Sequence, residues 1–147
     1  MTAQEIRQAV QSAVEAHISH NHFYPDWLVV KDRPTEPEYP CVLWKQYTGR
    51  VRDTDALTLR SQFVQLLVLT SVATDRTPEQ LQEAVEEAFE AAMDLVMRLK
   101  RDLGYDIVQN VNITTMHDEY TQLLSGVVLN FSVDAGGLCY DSSRFTS

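Results

Sequence analysis

Residues 62–72 read QFVQLLVLTSV, and the fold turns on this stretch. Counting in twos places Val64, Leu66, Val68, Thr70 and Val72 on one side of a strand and Phe63, Gln65, Leu67 and Leu69 on the other. Both sides are largely apolar, and β-branched and large apolar side chains suit a pleated surface. A strand of this kind lies inside a sheet. One face sits under helices, and the other is covered by something else, a second subunit included.

Downstream, Thr77-Pro78-Glu79-Gln80 combines an N-cap threonine, proline at the first helical position and glutamine three residues after the cap. The spacing predicts a helix over 78–102, about 36 Å long at 1.5 Å per residue. Its buried stripe reads Leu81, Val85, Ala88, Ala92, Leu95 and Leu99. Acids at Glu79, Glu83, Glu86, Glu87 and Glu90 lie toward its N-terminus, Arg98, Lys100 and Arg101 complement the dipole at its other end, and Gly104 closes it. Strand-like alternation resumes over Ile107–Thr115 and over residues 126–133, with Met116–Ser125 as a polar connection too long for a tight hairpin. After Val133 the sequence DAGGLCYDSSRFTS loses its period and reads as a surface tail, which divides the chain into one domain over 1–135 and a tail over 136–147.

Upstream, Thr2 and Glu5 have capping-box spacing, and Ile6, Val10, Ala13, Val14 and His17 follow at steps of three and four, predicting an amphipathic helix over 3–17. Asn21, Pro25 and Asp26 turn the chain, Trp27–Val30 is a short apolar run, and KDRPTEPEYP (31–40) is an extended loop because its prolines cannot donate to a ladder. Cys41–Gln46 reads as a strand, Thr48-Gly49 as a turn and Arg50–Arg60 as a polar arm. The order is α-β-β-β-α-β-β. It predicts an α+β fold with an antiparallel or mixed sheet of about five strands and both helices packed on one face.

A chain of 147 residues is long enough to bury a core without a metal or disulfide. Its formal charge of −9 opposes binding to a duplex or to any acidic partner, because affinity for nucleic acid comes mainly from neutralised phosphates. Residues 1–74 carry a net of −1 and residues 75–147 a net of −8, so the second half holds nearly all the field. Cys41 and Cys139 stand 98 positions apart without metal-ligand spacing, which fits two unrelated thiols in a reducing compartment. No apolar run approaches the ~20 residues of a membrane span, and Glu5, Arg7 and Glu15 interrupt the place of a signal peptide. Synthesis in the cytoplasm is the expectation.

Candidate chemistry is sparse. His17, His20 and His22 could offer imidazoles to a divalent metal, yet they straddle a helix end where a positive group is stabilising on its own. His117 beside Asp118 and Glu119 could act as a base in a small hydrolase, but no nucleophile or oxyanion donor is marked beside it. Ser125-Gly126 and Gly136-Gly137 read as turns, since neither belongs to a phosphate-binding motif. Trp27 and Trp44 fit a core or an interface. No catalytic, cofactor or metal site is therefore expected. Two patches of opposite sign remain. Lys45, Arg50, Arg52 and Arg60 stand against Asp53 and Asp55, a local net of +2, and Glu83, Glu86, Glu87 and Glu90 form a row on the long helix. A basic arm meeting the acidic helix of another copy makes a heterologous contact, the kind that closes into rings.

Several segments resemble the small tail-completion and tail-terminator proteins, and the related head-tail connection proteins, of long-tailed bacteriophages and prophages. They are MTAQEIRQAVQSAV, QFVQLLVLTSV, TPEQLQEAVEEAFEAAMDLVMRLKRD and IVQNVNITTMHDEYTQLLSGVVLNFSVDA, together spanning residues 1 to about 135. The proline-rich loop at 31–40 and the residues after Val133 depart from that pattern. The resemblance implies a non-enzymatic virion protein without cofactor or metal. Such a protein forms a ring, a hexamer in the family, that caps the tail tube or joins it to its neighbours in the tail. A small-ligand-binding or regulatory domain of ferredoxin-like type is the rival expectation, since it too stacks two helices on an antiparallel sheet.

Overall fold

The computed structural model describes residues 2–25, 38–53, 57–73, 77–115, 123–138 and 141–146. Two helices and five strands follow one another as α1 (Ala3–Glu15), β1 (His22–Tyr24), β2 (Cys41–Asp53), β3 (Thr58–Ala73), α2 (Pro78–Leu103), β4 (Val108–Thr115) and β5 (Leu123–Leu138), with a single 3-10 turn at Ser142–Arg144. The fold is α+β, and its one mixed sheet has the order β1-β2-β3-β5-β4. β1 runs parallel to β2, and every other neighbouring pair is antiparallel. β3 and β4 are therefore parallel to each other with β5 between them, and α2 makes the crossover, a split βαβ unit. A ferredoxin-like domain needs two such units, and the described residues contain one.

Both helices start where their caps dictate. Thr2 accepts from the Glu5 amide and the Glu5 carboxylate accepts from the Thr2 amide, and Thr77 and Gln80 repeat the reciprocal pair with Pro78 inside the first turn. Gly104 ends α2 at φ 123°, a conformation that a Cβ would strain, and its N–H donates to the Lys100 carbonyl. α1 buries Ile6, Val10, Ala13 and Val14, and α2 buries Ala84, Ala88, Ala91, Ala92, Leu95, Val96 and Leu99. The second stripe is wider than the sequence period implied, because α2 packs on the sheet and against α1 at once. Leu81 and Val85 at its N-terminal end are only half-buried.

Beneath the helices lie Val42, Val64, Leu66, Val68, Val108, Val127, Leu129, Phe131 and Val133, all in one core cluster. Cys41, Leu43, Leu67 and Leu69 form a second cluster on the opposite face, with Tyr24, Tyr39 and Val128 packed against it. β3 is thus apolar on both faces, as its alternation predicted. Gly126 lies where β5 crosses closest to β3, and a Cβ there would overlap the Val68 carbonyl oxygen. In β4, Asn110 and Val111 together oppose one residue of β5; Asn110 takes φ 54° and its amide donates to Ser132 Oγ, so the strand carries a β-bulge.

Three readings of the sequence need correction. Thr48-Gly49 is no turn: both residues lie inside β2, opposite Phe63 and Gln62. The polar arm is itself strand, with Arg50 opposite Ser61 and Arg52 opposite Leu59. Ser125-Gly126 and Gly136-Gly137 belong to β5, which continues past Val133 until Leu138 pairs with Thr58. The first described strand is His22–Tyr24. These errors share a cause: a solvent-facing strand has no apolar period, and its hydrogen-bonding partners are remote in sequence. The loop at 31–37, Trp27–Val30, Asp55, the connection at 116–122 with His117, Asp118 and Glu119, and Cys139 lie outside the described residues.

Candidate functional site

The three histidines part company. His17 follows the C-terminus of α1, and its Nδ1 accepts from the backbone N–H groups of Ser19 and His20 at 3.2 and 3.1 Å. That leaves Nε2 to carry the ring proton toward Asp94 Oδ2, 3.0 Å away on α2. His22 faces Glu38 at 3.1 Å. His20 is 2% exposed and its Nε2 lies 3.1 Å from Thr70 Oγ1. Because the Thr70 hydroxyl already donates to the Ala84 carbonyl at 2.8 Å, it accepts from His20, and His20 Nδ1 in turn accepts from Ser19 Oγ at 2.9 Å. Burial pushes the His20 imidazole down to about 4, with neighbouring His17 acting in the same direction. A neutral ring fits this relay, which ties the loop after α1 to β3 and α2. No group of three or more His, Cys, Asp or Glu among the described residues is arranged to hold a metal ion.

The acidic row forms one wall of a groove. Glu83, Glu86, Glu87 and Glu90 all line an open cavity of about 770 Å³, with His17, Ile18, Ser19, His20, Pro40, Ala91 and Asp94 around it. Steps of four, three and four from Glu83 lead through Glu87 and Glu90 to Asp94, so helical spacing could have added Asp94 to the row. Among the described residues no cation comes within ion-pair reach of Glu83, Glu87 or Glu90, and Glu86 accepts only from Gln82. Ile18 stands beside them 96% exposed.

The basic residues are less of a unit than their sequence clustering implied. Lys45 sits at the irregularity in β2 between Trp44 and Gln46, near the base of the arm. Arg50 and Arg52 share the face turned away from the helices, and the Arg50 guanidinium lies 5.4 Å from the centre of the Phe63 ring. Arg60, opposite Val51, is on the other face near Tyr47, whose phenol burial raises while the Arg60 charge acts the opposite way. Tyr47 in turn stacks on Trp44 with ring centres 6.0 Å apart. Only Arg50 and Arg52 therefore project together from the exposed part of β2, flanking Val51 at 63% exposure.

The basic arm and the acidic groove lie at opposite ends of one strand. Arg52 is opposite Leu59 near the start of β3, whereas Thr70, which holds His20 at the groove, is eleven residues further along. At ~3.4 Å per residue the two are separated by roughly 37 Å. No model of a known protein family matches the chain, and no curated protein matches it.

Proposed function

We propose that the chain is a structural protein of a long-tailed phage or prophage tail, which self-associates into a ring and docks on its neighbours to terminate or connect the tail tube. The separation of charge along β3 carries this reading. Glu83, Glu87 and Glu90 at one end and Arg52 at the other have no ion-pair partner among the described residues, and neither end reaches the other within one molecule. A subunit with a basic end and an acidic end finds its complement only in another chain, either a second copy or a tail protein bearing the opposite charge. The groove is open and its wall is a row of carboxylates, which suits a basic protein surface.

Light scattering after size exclusion, at several concentrations and two salt levels, tests the proposal. The expected result is a discrete species of about six subunits whose assembly weakens as salt rises and in Arg50→Glu/Arg52→Glu, and recovers when that variant is mixed with Glu83→Lys/Glu87→Lys/Glu90→Lys. A protein that stays monomeric at every concentration, and whose thermal stability rises with a metabolite, is the ligand-binding domain instead.

A further inference from the structure

Among the described residues no further strand pairs with either outer side of the sheet. β1 pairs only with Cys41, Val42 and Leu43, so beyond Leu43 the outer edge of β2 has no partner strand among the described residues, and Thr48–Asp53 are all exposed. On the far side β4 is the last strand, and all of its residues except Val108 and Ile113 are exposed. A strand edge carries a row of unused N–H and C=O groups, which proteins ordinarily guard with charge or proline. β4 reads VQNVNITT without either, and so does the first part of the open stretch of β2, residues 46–49 (QYTG), with the first charge at Arg50.

Direction and side chains match. β2, β3, β5 and β4 alternate in direction, so β4 runs opposite to β2, and a second copy set alongside in the same orientation presents its β2 antiparallel to β4. On the face away from the helices a row of amides crosses the sheet from one open edge to the other: Gln46 is opposite Gln65, Gln65 opposite Asn130 and Asn130 opposite Asn112. Gln65 Nε2 donates to Asn130 Oδ1 at 2.9 Å, and Gln46 and Asn112 end the row exposed.

We propose that residues 108–112 of β4 in one copy pair antiparallel with residues 46–50 of β2 in the next, joining neighbouring sheets into one and setting Asn112 beside Gln46 of the second copy. The amide row then continues across the joint, as ladders of Asn and Gln do between stacked strands. The contact is heterologous, head to tail, and each copy keeps one donor edge and one acceptor edge, which is what ring closure requires. It rests on the reading of the chain as self-associating. It differs from the charged contact in direction, acting across the strands rather than along them, and it is made by backbone and amide groups, which are uncharged.

Two measurements on the full chain test it, with light scattering run beside them. Amide hydrogen exchange, compared between dilute and associated protein, should slow at least about tenfold in residues 108–112 and 46–50. On oxidation, Gln46→Cys/Asn112→Cys should form disulfide-linked ladders, and a mixture of the two single variants should give only mixed dimers, because paired antiparallel residues have the Cα spacing a disulfide needs. Both positions are exposed, so the variants fold. Association without slowed exchange at β4 overturns the edge joint and leaves the proposed function standing. Dimers from Asn112→Cys alone point to a two-fold joint and overturn it equally. A monomer at every concentration removes both.

Discussion

The two ends of the β2–β3 pair make opposite use of the same secondary structure. At one end Val42, Leu66 and Val68 lie under the helices while Cys41, Leu43, Leu67 and Leu69 are closed in on the other face, all of them at most 1% exposed. At the far end the strands continue with Thr48, Gly49, Arg50, Val51, Arg52 and Asp53 in solvent, held by pairing to Thr58–Phe63 and, beyond that, by β5 up to Leu138. Burial holds the first end. The second persists because a third strand completes its ladder, and three paired strands sustain what a lone hairpin in water does not.

The contrast can be broken first at its buried end. Leu66→Ala removes a fully buried side chain from beneath α2 and should cost about 3 kcal/mol in urea unfolding. A loss below 1 kcal/mol would mean that the centre of the sheet is no more essential than its arm. Next comes the tie between the helices and β3 at His20. Its folded value, about 4, lies below the ordinary 6.5, so the unfolded chain binds the proton more readily. The stabilisation is complete above pH 6.5, declines as pH falls from there and is gone below about 4. Its size is on the order of 2 kcal/mol. Urea midpoints measured between pH 7 and pH 4 should show this loss in the parent protein and a shallower one in His20→Gln, which has nothing to titrate there. The cap of α2 is smaller again. Thr77→Ala strands the Gln80 amide and should cost about 1 kcal/mol by the same measurement. At the exposed end, Val51→Ala should change stability by less than about 0.5 kcal/mol. A cost equal to that of Leu66→Ala would show that the arm is buried against another copy even in the protein used for unfolding.

Legibility followed the same division. The helices could be read because their signals are local: Thr2 with Glu5, Thr77 with Pro78 and Gln80, and Gly104 at the end each act within a turn or two of chain. Residues 62–72 could be read because burial on two faces leaves an apolar mark in the sequence itself. The arm could not, since Arg50, Val51 and Arg52 alternate without contrast, and their partners Leu59, Arg60 and Ser61 are identified only by register. The candidate site divided likewise. The row from Glu83 to Glu90 follows from helical spacing, whereas the separation of Arg60 from Arg50 and Arg52 depends on the pleat of a pair whose register the sequence leaves open. His17, His20 and His22 form one cluster in sequence but take different side-chain partners in space, Asp94, Thr70 and Glu38, while the His20 N–H still donates to His17 Nδ1.

By itself, then, the sequence determined where two capped helices begin and end, which strand lies at the centre of the sheet, the order α-β-β-β-α-β-β and the acidic face of α2. All of these depend on contacts a few residues apart or on a buried face that repeats with the period of its own element. Only the tertiary structure decided how far β2, β3 and β5 run, which arginines share a face, that His20 is sealed between Ser19 and Thr70, and that basic arm and acidic groove occupy opposite ends of one strand. Those features depend on the register of paired strands and on packing between segments as much as 80 positions apart, whose free energy exists only once the chain has folded.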